Sequence, residues 1–253
     1  MLSLDEIKNL ARLRRLKPYQ EEKRYVQTAA LSSIYLRFGN NLLFKGGTAL
    51  FLLYGLPRFS EDLDFTALGE VNVEDFNGIA RDLSLLGMES TVKEKKSVAG
   101  TTLLLSAKGP LYTTPISICT VTLDISERKD AGKGTPLIFR TDYRDILPFA
   151  INTMGLEEIC AEKIRAVMKR NYARDIFDLH FLLRIKGAEP TLESINKKMD
   201  YYDEQFSFAE FKERVSVKKS LWEPELRNMV IGELPSFDVV AKETIETLTE
   251  ILH

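Results

Sequence analysis

The sequence is poor in the residues that most often bind transition metals or form disulfides. Cysteine and histidine each occur only twice in 253 residues, as Cys119, Cys160, His180 and His253. Their spacing matches no zinc motif, and both cysteines lie in apolar segments that are typical of small buried side chains. Any metal in this protein is therefore expected to be a hard cation bound by oxygen.

Long apolar runs and a strong charge imbalance are also missing. No run approaches the roughly 18 to 20 residues that cross a bilayer, and the first residues, MLSLDE, do not form a secretory signal. We therefore expect a cytoplasmic protein with no membrane partner. The net charge of −2 argues against coating of nucleic acid by the whole surface.

Basic residues nevertheless cluster in one segment. Residues 163–174, KIRAVMKRNYAR, contain five basic residues and no acidic one. Such a run is either a solvated helix face or a local groove that binds a polyanion, and composition alone leaves both open.

Two kinds of periodicity divide the chain. Strand patterns cover residues 42–44, 63–67, 90–95, 101–107, 115–126 and 136–140, with helical patterns before and between them, including one over residues 74–87. After Pro148 every segment has a helical pattern, near 154–170, 174–185, 191–200, 207–214, 220–231 and 237–252. We expect an α/β (α+β) domain over residues 1–150, with a mixed, mostly antiparallel sheet flanked by helices, and a helical domain over 151–253.

The first motif, Lys45-Gly46-Gly47-Thr48, joins a short strand to a helix. Glycines let the backbone turn sharply and approach a ligand closely, and the free N–H groups at a helix start favour an anion. Lys45 would add positive charge and Thr48 a hydroxyl. A double glycine before a helix is also common in ordinary turns, so the motif alone does not decide between a phosphate site and a turn.

The second motif is RFSEDLDF, residues 58–65. Asp62 and Asp64 are separated by one residue, so on a strand they point to the same side and can share a divalent cation. Aspartate is depleted in strands, and two like charges on one face need a compensating cation. The alternative is that Asp62 ends a loop while Asp64 pairs with Arg58; the nearby glycine motif favours the metal site.

A third carboxylate, Asp124, lies near the end of the predicted strand 115–126. Alternation places Ile116, Ile118, Thr120, Thr122 and Asp124 on one face of this strand and Cys119, Val121, Leu123 and Ile125 on the other. Asp124 would then face the first carboxylate pair, as a third metal ligand or as a proton acceptor. The alternative is a solvent-facing strand end beside Glu127 and Arg128.

Charged residues also occur on apolar faces of two predicted helices. Lys163 lies within a stripe formed by Leu156, Ile159, Cys160, Ile164 and Val167. A lysine aimed at the interior must extend to solvent, pair with an acid or bind an anion. The next helix is apolar almost all round, yet it contains Asp175 and Asp178, which we expect to fix Lys163, Arg170 or Arg174 in position. Alternatively, Asp175 only favours the helix N-terminus.

The stretches KGGTAL, RFSEDLDF and AEKIRAVMKRNYARDIFDLHFLL, in this order, resemble the AbiEii/AbiGii-type nucleotidyltransferase toxins of type IV toxin–antitoxin and abortive-infection systems. The resemblance covers about residues 40 to 185. It implies a polymerase-β-like nucleotidyltransferase domain followed by a helical domain that completes the active site. It also implies an NTP substrate, Mg²⁺ (or Mn²⁺), an RNA acceptor such as the 3′ end of tRNA, and a cognate antitoxin.

The resemblance also implies roles for residues that match its motifs. Gly46, Gly47 and Thr48 would cradle phosphate, Asp62 and Asp64 would bind metal, and Lys163 and Asp175 would be essential residues of the helical domain. Together with the patterns above, this gives a catalytic set of Asp62, Asp64, Asp124, Lys163 and Asp175, of which the three residues Asp62, Asp64 and Asp124 are the metal ligands. The nucleotide-binding set is Lys45, Gly46, Gly47, Thr48, Ser60 and Lys163, and the supporting set is Arg58, Arg170, Arg174 and Asp178.

The resemblance does not specify the base, among ATP, GTP and CTP, or the acceptor, because the motifs that carry it do not extend to residues 186–253. Two alternatives to RNA modification therefore stay open. One is the same chemistry on a small molecule or a protein hydroxyl, and the other is a module that binds a nucleotide or a partner without catalysis.

Overall fold

The chain divides into two compact units. A computed structural model describes residues 1–95, 100–127 and 134–252. The first unit comprises Met1–Gly55 and Phe59–Thr153, and the second comprises Leu56–Arg58 and the residues from Met154 onward. In the described part of the chain, no helix is both long and apolar enough to cross a membrane.

The first unit combines helices with one sheet. Its helices are α1 (Leu4–Arg14), α2 (Pro18–Phe38), α3 (Gly46–Tyr54) and α4 (Asn77–Leu85). Its strands are β1 (Leu42–Lys45), β2 (Leu63–Ala67), β3 (Ser90–Lys95), β4 (Thr101–Ala107), β5 (Cys119–Ser126), β6 (Gly134–Phe139) and β7 (Phe149–Met154). They form a seven-stranded sheet in the order β3-β4-β5-β2-β1-β7-β6.

The sheet is mixed, as the sequence predicted. Strand β2 pairs antiparallel with β1 and parallel with β5, and β4 pairs antiparallel with both β3 and β5. Strand β1 also pairs parallel with β7. This arrangement puts β2, which carries Asp64, at the centre of the sheet, between the strand that leads into the glycine turn and the strand that carries Asp124.

Local sequence signals explain several of these elements. Ser3 caps α1 in a reciprocal capping box with Glu6, and Pro18 occupies the first turn of α2, where its missing N–H has no intrahelical partner to lose. Along β5, burial alternates residue by residue, with Cys119 at the first buried position. The predicted two-faced pattern is therefore confirmed from Cys119 to Ser126.

The predicted strand 115–126 begins too early. Pro115–Ser117 is a 3-10 turn closed by reciprocal bonds between Thr114 and Ser117, and Pro115 fits the first position of such a turn. Ile116, which is 97% exposed, lies in this turn before β5 begins at Cys119, and so it does not extend the face that carries Asp124.

The expectation that only helices follow Pro148 is also wrong, because Phe149–Met154 is strand β7. Its last four residues are all buried, so they lack the alternation that reveals a half-exposed strand.

Smaller differences occur at helix ends. The predicted helix 74–87 is a 3-10 turn, Val73–Phe76, followed by α4. The predicted helix 174–185 is an α-helix that continues as a π-helical turn, Phe181–Ile185.

The second unit is helical from Leu156 onward. Its helices are α5 (Leu156–Lys169), α6 (Arg174–His180), α7 (Leu192–Met199), α8 (Phe208–Ser216), α9 (Lys219–Leu226) and α10 (Phe237–Leu252). Helix α5 packs against α6, α7 and α8, and α10 packs against α6. The side chain of Trp222 lies between the rings of Phe177 and Phe237, at centroid distances of 6.1 and 5.5 Å. Because it packs against three other helices, α5 is central to this unit, and its inward-facing Lys163 is buried for this reason.

Candidate functional site

The glycine turn brings the start of α3 against Asp64. Strand β1 ends at Lys45 and α3 begins at the next residue, Gly46, whose φ of 75° lies in the left-handed region. A Cβ atom at Gly46 would collide with the Asp64 carboxylate. Glycine is thus required at this position for two reasons, namely the backbone angle and the close approach of a charged side chain.

The hydroxyl of Thr48 holds the loop that leads to the aspartates. Thr48 is fully buried, and its Oγ1 contacts Ser60 Oγ at 2.9 Å and donates to the carbonyl of Asp62. Gln27 Nε2 donates to the carbonyls of Ser60 and Glu61 at 3.1 and 2.8 Å. The sequence suggested that the Thr48 hydroxyl binds a ligand; in this structure the hydroxyl instead fixes the backbone of the loop.

Three carboxylates lie on, or directly before, two neighbouring strands. Asp62 immediately precedes β2, and Asp64 within β2 is directly opposite Asp124 of β5 in the parallel pairing. Thr102 Oγ1 donates to Asp124 Oδ1 at 2.6 Å. On the other side of β2, Lys45 of β1 is the register partner of Asp64.

Like charges oppose the ionisation of Asp62. Partial burial raises the pKa of Asp62, a hydrogen bond with Thr122 lowers it, and the negative charges of Asp124 and Glu61 raise it, so the net shift is upward. Because the side chain keeps contact with solvent, the desolvation is only partial. Partial burial and the neighbouring carboxylates therefore both favour the neutral form of Asp62, and a bound cation would favour the ionised form.

Asp62 and Asp64 suit a divalent cation by the type of their donor atoms. Within residues 1–95, 100–127 and 134–252, no group of three or more His, Cys, Asp or Glu side chains is arranged to hold a metal ion. Asp62 and Asp64 nevertheless offer hard oxygen donors on one side of β2, where a cation would relieve the repulsion on Asp62. Asp124 Oδ1, by contrast, is already hydrogen-bonded to Thr102.

A second cluster of charges is buried in the helical unit. Lys163 Nζ lies 3.0 Å from Asp175 Oδ1 and 2.6 Å from Asp178 Oδ2. Arg58 forms a two-pronged contact with Asp178, in which Nε and Nη2 each donate to one carboxylate oxygen at 2.6 Å. Both aspartates are fully buried. The structure thus brings Lys163, Asp175 and Asp178 together.

The two arginines that follow α5 have different partners. Arg170 donates to both oxygens of Asp175 at 2.7 Å, whereas Arg174 pairs with Glu225 at 3.1 Å. Arg170 therefore belongs to the cluster, and Arg174 does not. Hereafter, "the buried charge cluster" means Arg58, Lys163, Arg170, Asp175 and Asp178, in which three cations surround two carboxylates.

The cations keep both buried aspartates ionised. Burial by itself raises the pKa of Asp175, but Lys163 and Arg170 beside it lower that pKa well below its usual range overall. The pKa of Asp178 is lowered in the same way, because Arg58 and Lys163 outweigh the effect of burial. A charge in such a cluster is tolerated only while its partners remain.

Several contacts in these sites could not be predicted from the sequence. Arg58 was considered as a partner of Asp64, but its carboxylate partner here is Asp178. Glu225 of α9 pairs with Arg174, and Thr102 of β4 donates to Asp124. The periodicity of α9 and β4 does not indicate these partners. Thr122 was placed on the face of Asp124 by alternation, which was the one usable signal.

Substitution of Asp178 tests the buried charge cluster. Asp178→Ala leaves the buried guanidinium of Arg58 without its carboxylate and should lower the free energy of unfolding by about 3–5 kcal/mol. Trp222, the only tryptophan of the chain, is buried in the same unit, so its fluorescence during denaturation in urea reports the change. Asp238→Ala, which removes an exposed partner of Lys219, is the matched control and should alter the transition little. Equal transitions for both variants would contradict the cluster.

The same cluster predicts a loss of stability in acid. Because the folded-state pKa values of Asp175 and Asp178 are lowered, their stabilisation is present above the unfolded-state pKa near 4 and is lost as the pH falls through the folded-state values. The free energy of unfolding should therefore decrease below about pH 4. Asp178→Asn should be less stable at pH 7 but lose less on acidification. An identical pH dependence in both proteins would count against the assignment.

Comparison with known proteins agrees with this architecture. The sequence profile of the family described as "Nucleotidyl transferase AbiEii toxin, Type IV TA system" matches residues 30–243. No curated protein sequence matches the chain. Among solved structures, the chain is similar to MenT4, a nucleotidyltransferase toxin from Mycobacterium tuberculosis H37Rv, with a TM-score of 0.68, 18% identity, and coverage of 99% of this chain and 90% of that one.

Two structures from Helicobacter pylori are also similar. JHP933 has a TM-score of 0.63 at 22% identity, with 92% of this chain and 91% of that chain covered. A putative nucleotidyltransferase has a TM-score of 0.61 at 22% identity, with 90% and 92% covered. At these identities the structural similarity establishes the fold, whereas the profile match extends over most of the chain. The chain therefore belongs to the AbiEii family of nucleotidyltransferase toxins of type IV toxin–antitoxin systems.

Proposed function

We propose that this nucleotidyltransferase moves a nucleoside monophosphate from an NTP to a hydroxyl of RNA, with the 3′ end of tRNA as acceptor and Mg²⁺ as the metal. The observation that carries the proposal is the contact between the glycine turn and Asp64, which joins an anion-binding backbone to a carboxylate pair. Family membership implies an NTP substrate and an antitoxin partner.

The glycine turn is suited to the phosphates of the NTP. The first N–H groups of α3, at Gly46 and Gly47, have no intrahelical acceptor, and the helix N-terminus is electropositive. We assign phosphate binding to these backbone groups and to Lys45, which adds a positive charge at the end of β1. Thr48 and Ser60 then act by holding the loop in place through their mutual hydrogen bond.

The carboxylates are suited to a divalent cation and to the attacking hydroxyl. Nucleotidyltransferases generally use such a cation. Asp62 and Asp64 would hold it, and its charge would neutralise negative charge on the transferred phosphate. We propose that Asp124, whose Oδ1 is oriented by Thr102, accepts the proton of the acceptor hydroxyl. The α-phosphate is then transferred to that hydroxyl and pyrophosphate leaves.

The buried charge cluster supports a positioning role for Lys163. The sequence suggested that Lys163 neutralises the triphosphate, but Asp175 and Asp178 already balance its charge. Arg170 keeps 46% of its side chain exposed while Asp175 holds its guanidinium. We therefore propose that Lys163 and Asp175 are essential because they orient Arg170, which contacts a substrate phosphate.

Replacement of the paired aspartates tests the proposal. Asp62→Asn and Asp64→Asn should each reduce incorporation of α-labelled NTP into RNA by at least about 100-fold, because the cation loses a charged ligand. Asp75→Asn, at an exposed carboxylate of the same unit, is the matched control and should retain activity. Undiminished labelling in either aspartate variant would refute the assignment. Thermal unfolding of both variants must show that they are folded, so that a loss of labelling reports the loss of the carboxylate.

The acceptor is tested in a separate experiment. Purified tRNA, total RNA, a protein lysate and a metabolite mixture are each supplied with every α-labelled NTP, and we expect label in tRNA at its 3′ terminus. Activity should disappear with EDTA and return with Mg²⁺ or, as a second candidate, Mn²⁺. Retention of label only in protein or in small molecules would contradict the RNA acceptor while preserving the transferase chemistry.

A further inference from the structure

An exposed aromatic ring between α5 and α6 is surrounded by two guanidinium groups. Tyr172 is 44% exposed. The guanidinium carbon of Arg174 lies 4.2 Å from the centre of the Tyr172 ring, and that of Arg170 lies 5.6 Å from it. Both distances are within the range of a favourable cation–aromatic contact.

The loop that carries this ring is held at three points. Arg170 is anchored by two hydrogen bonds to Asp175. The backbone N–H of Ala173 donates to Glu225 Oε2 at 2.6 Å, and Arg174 pairs with Glu225 Oε1 at 3.1 Å. A buried carboxylate and a half-buried one thus fix the conformation of a loop whose central side chain faces solvent. These polar contacts do not serve to bury the side chain of Tyr172, because that side chain is exposed.

We propose that Arg170, Tyr172 and Arg174 form a docking platform for a single-stranded end of nucleic acid. Single-stranded nucleic acids are bound where aromatic or guanidinium planes accept stacked bases beside cations that contact the phosphates. Arg170 and Arg174 keep 46% and 31% of their side chains exposed, so a ligand in solution can reach both guanidinium groups. The proposal rests on the proposed function in one respect, namely that the docked strand is the acceptor RNA.

The sequence around the platform favours a nucleic-acid strand over an isolated nucleotide. Lys163–Arg174 contains five basic residues and no acidic one. Within this run Lys163 is buried and Lys169 pairs with Glu204, whereas Arg170 and Arg174 lie beside the exposed ring. Two cations beside one aromatic ring suit a base with a phosphate on each side, as in a strand, and the affinity should depend on salt. The base of the NTP is the competing occupant of the ring, and the experiments below separate the two.

Direct binding tests the platform without any transfer reaction. The full chain is titrated into a fluorescein-labelled single-stranded RNA oligonucleotide in the absence of NTP, and anisotropy gives Kd. Tyr172→Ala should raise Kd about 5- to 100-fold, because each stacked base loses its aromatic partner. Tyr172→Trp retains a stacking surface and should bind within a few-fold of the unmodified chain. Tyr201→Ala, at a 59% exposed tyrosine whose ring packs against Tyr202, is the matched control and should leave Kd unchanged.

The outcomes are decisive in both directions. An unchanged Kd for Tyr172→Ala, or equal affinity of the unmodified chain for a blunt duplex, overturns the platform. In steady-state transfer, a raised KM for the RNA acceptor with an unchanged KM for NTP supports it, whereas the reverse pattern assigns the ring to the NTP base and overturns it. If the unmodified chain binds the strand in a Tyr172-dependent manner but labels no RNA, the proposed function fails and the platform stands.

Discussion

Compensation of buried charge is the constraint on which the helical unit depends. Asp178 is fully enclosed and stays ionised only because Arg58 contacts both of its oxygens and Lys163 contacts one. Desolvation of a carboxylate costs several kcal/mol unless partners of good geometry replace water. Lys163 contacts both aspartates. The positions of Asp175, Arg170 and the loop after α5 therefore depend on the same set of contacts.

The sheet unit shows the opposite balance. At the start of β2, partial burial raises the pKa of Asp62, and the charges of Asp124 and Glu61 add to that rise, so the pKa is raised rather than lowered. In the buried charge cluster the cations outnumber the carboxylates, and the pKa values of both aspartates fall. The first arrangement is suited to accept a cation from solution, and the second is complete within the protein. The direction of the aspartate pKa shifts therefore distinguishes the candidate metal site from the buried charge cluster. Residue type does not, because aspartate occurs in both.

Much of this could be predicted from sequence, for identifiable reasons. Alternation along β5 identified the face of Asp124, and the apolar stripe of α5 showed that Lys163 points inward. Strand β7 was missed because its last four residues are all buried although Asn152 and Thr153 are polar, so neither burial nor polarity alternates along it. The partner of Arg58 was missed because Asp178 is 120 residues away, and local patterns do not encode such pairings. The Thr48 hydroxyl was assigned to a ligand because a sequence shows which groups are available but not which are already hydrogen-bonded.

The geometry of Lys163 also limits what an inactive variant would mean. Replacement of Lys163 by alanine removes a cation from between two buried carboxylates, and their repulsion would disturb Arg58 and Arg170 whether or not Lys163 touches a substrate. Lys163→Arg keeps the charge but demands space for a planar group beside a buried carboxylate already held by Arg58, so it is not conservative here. Loss of activity at Lys163 is therefore expected from its position in the cluster alone. Arg170, which the cluster holds with part of its side chain in solvent, is the residue at which a direct contact with a substrate phosphate can be separated from support of the fold.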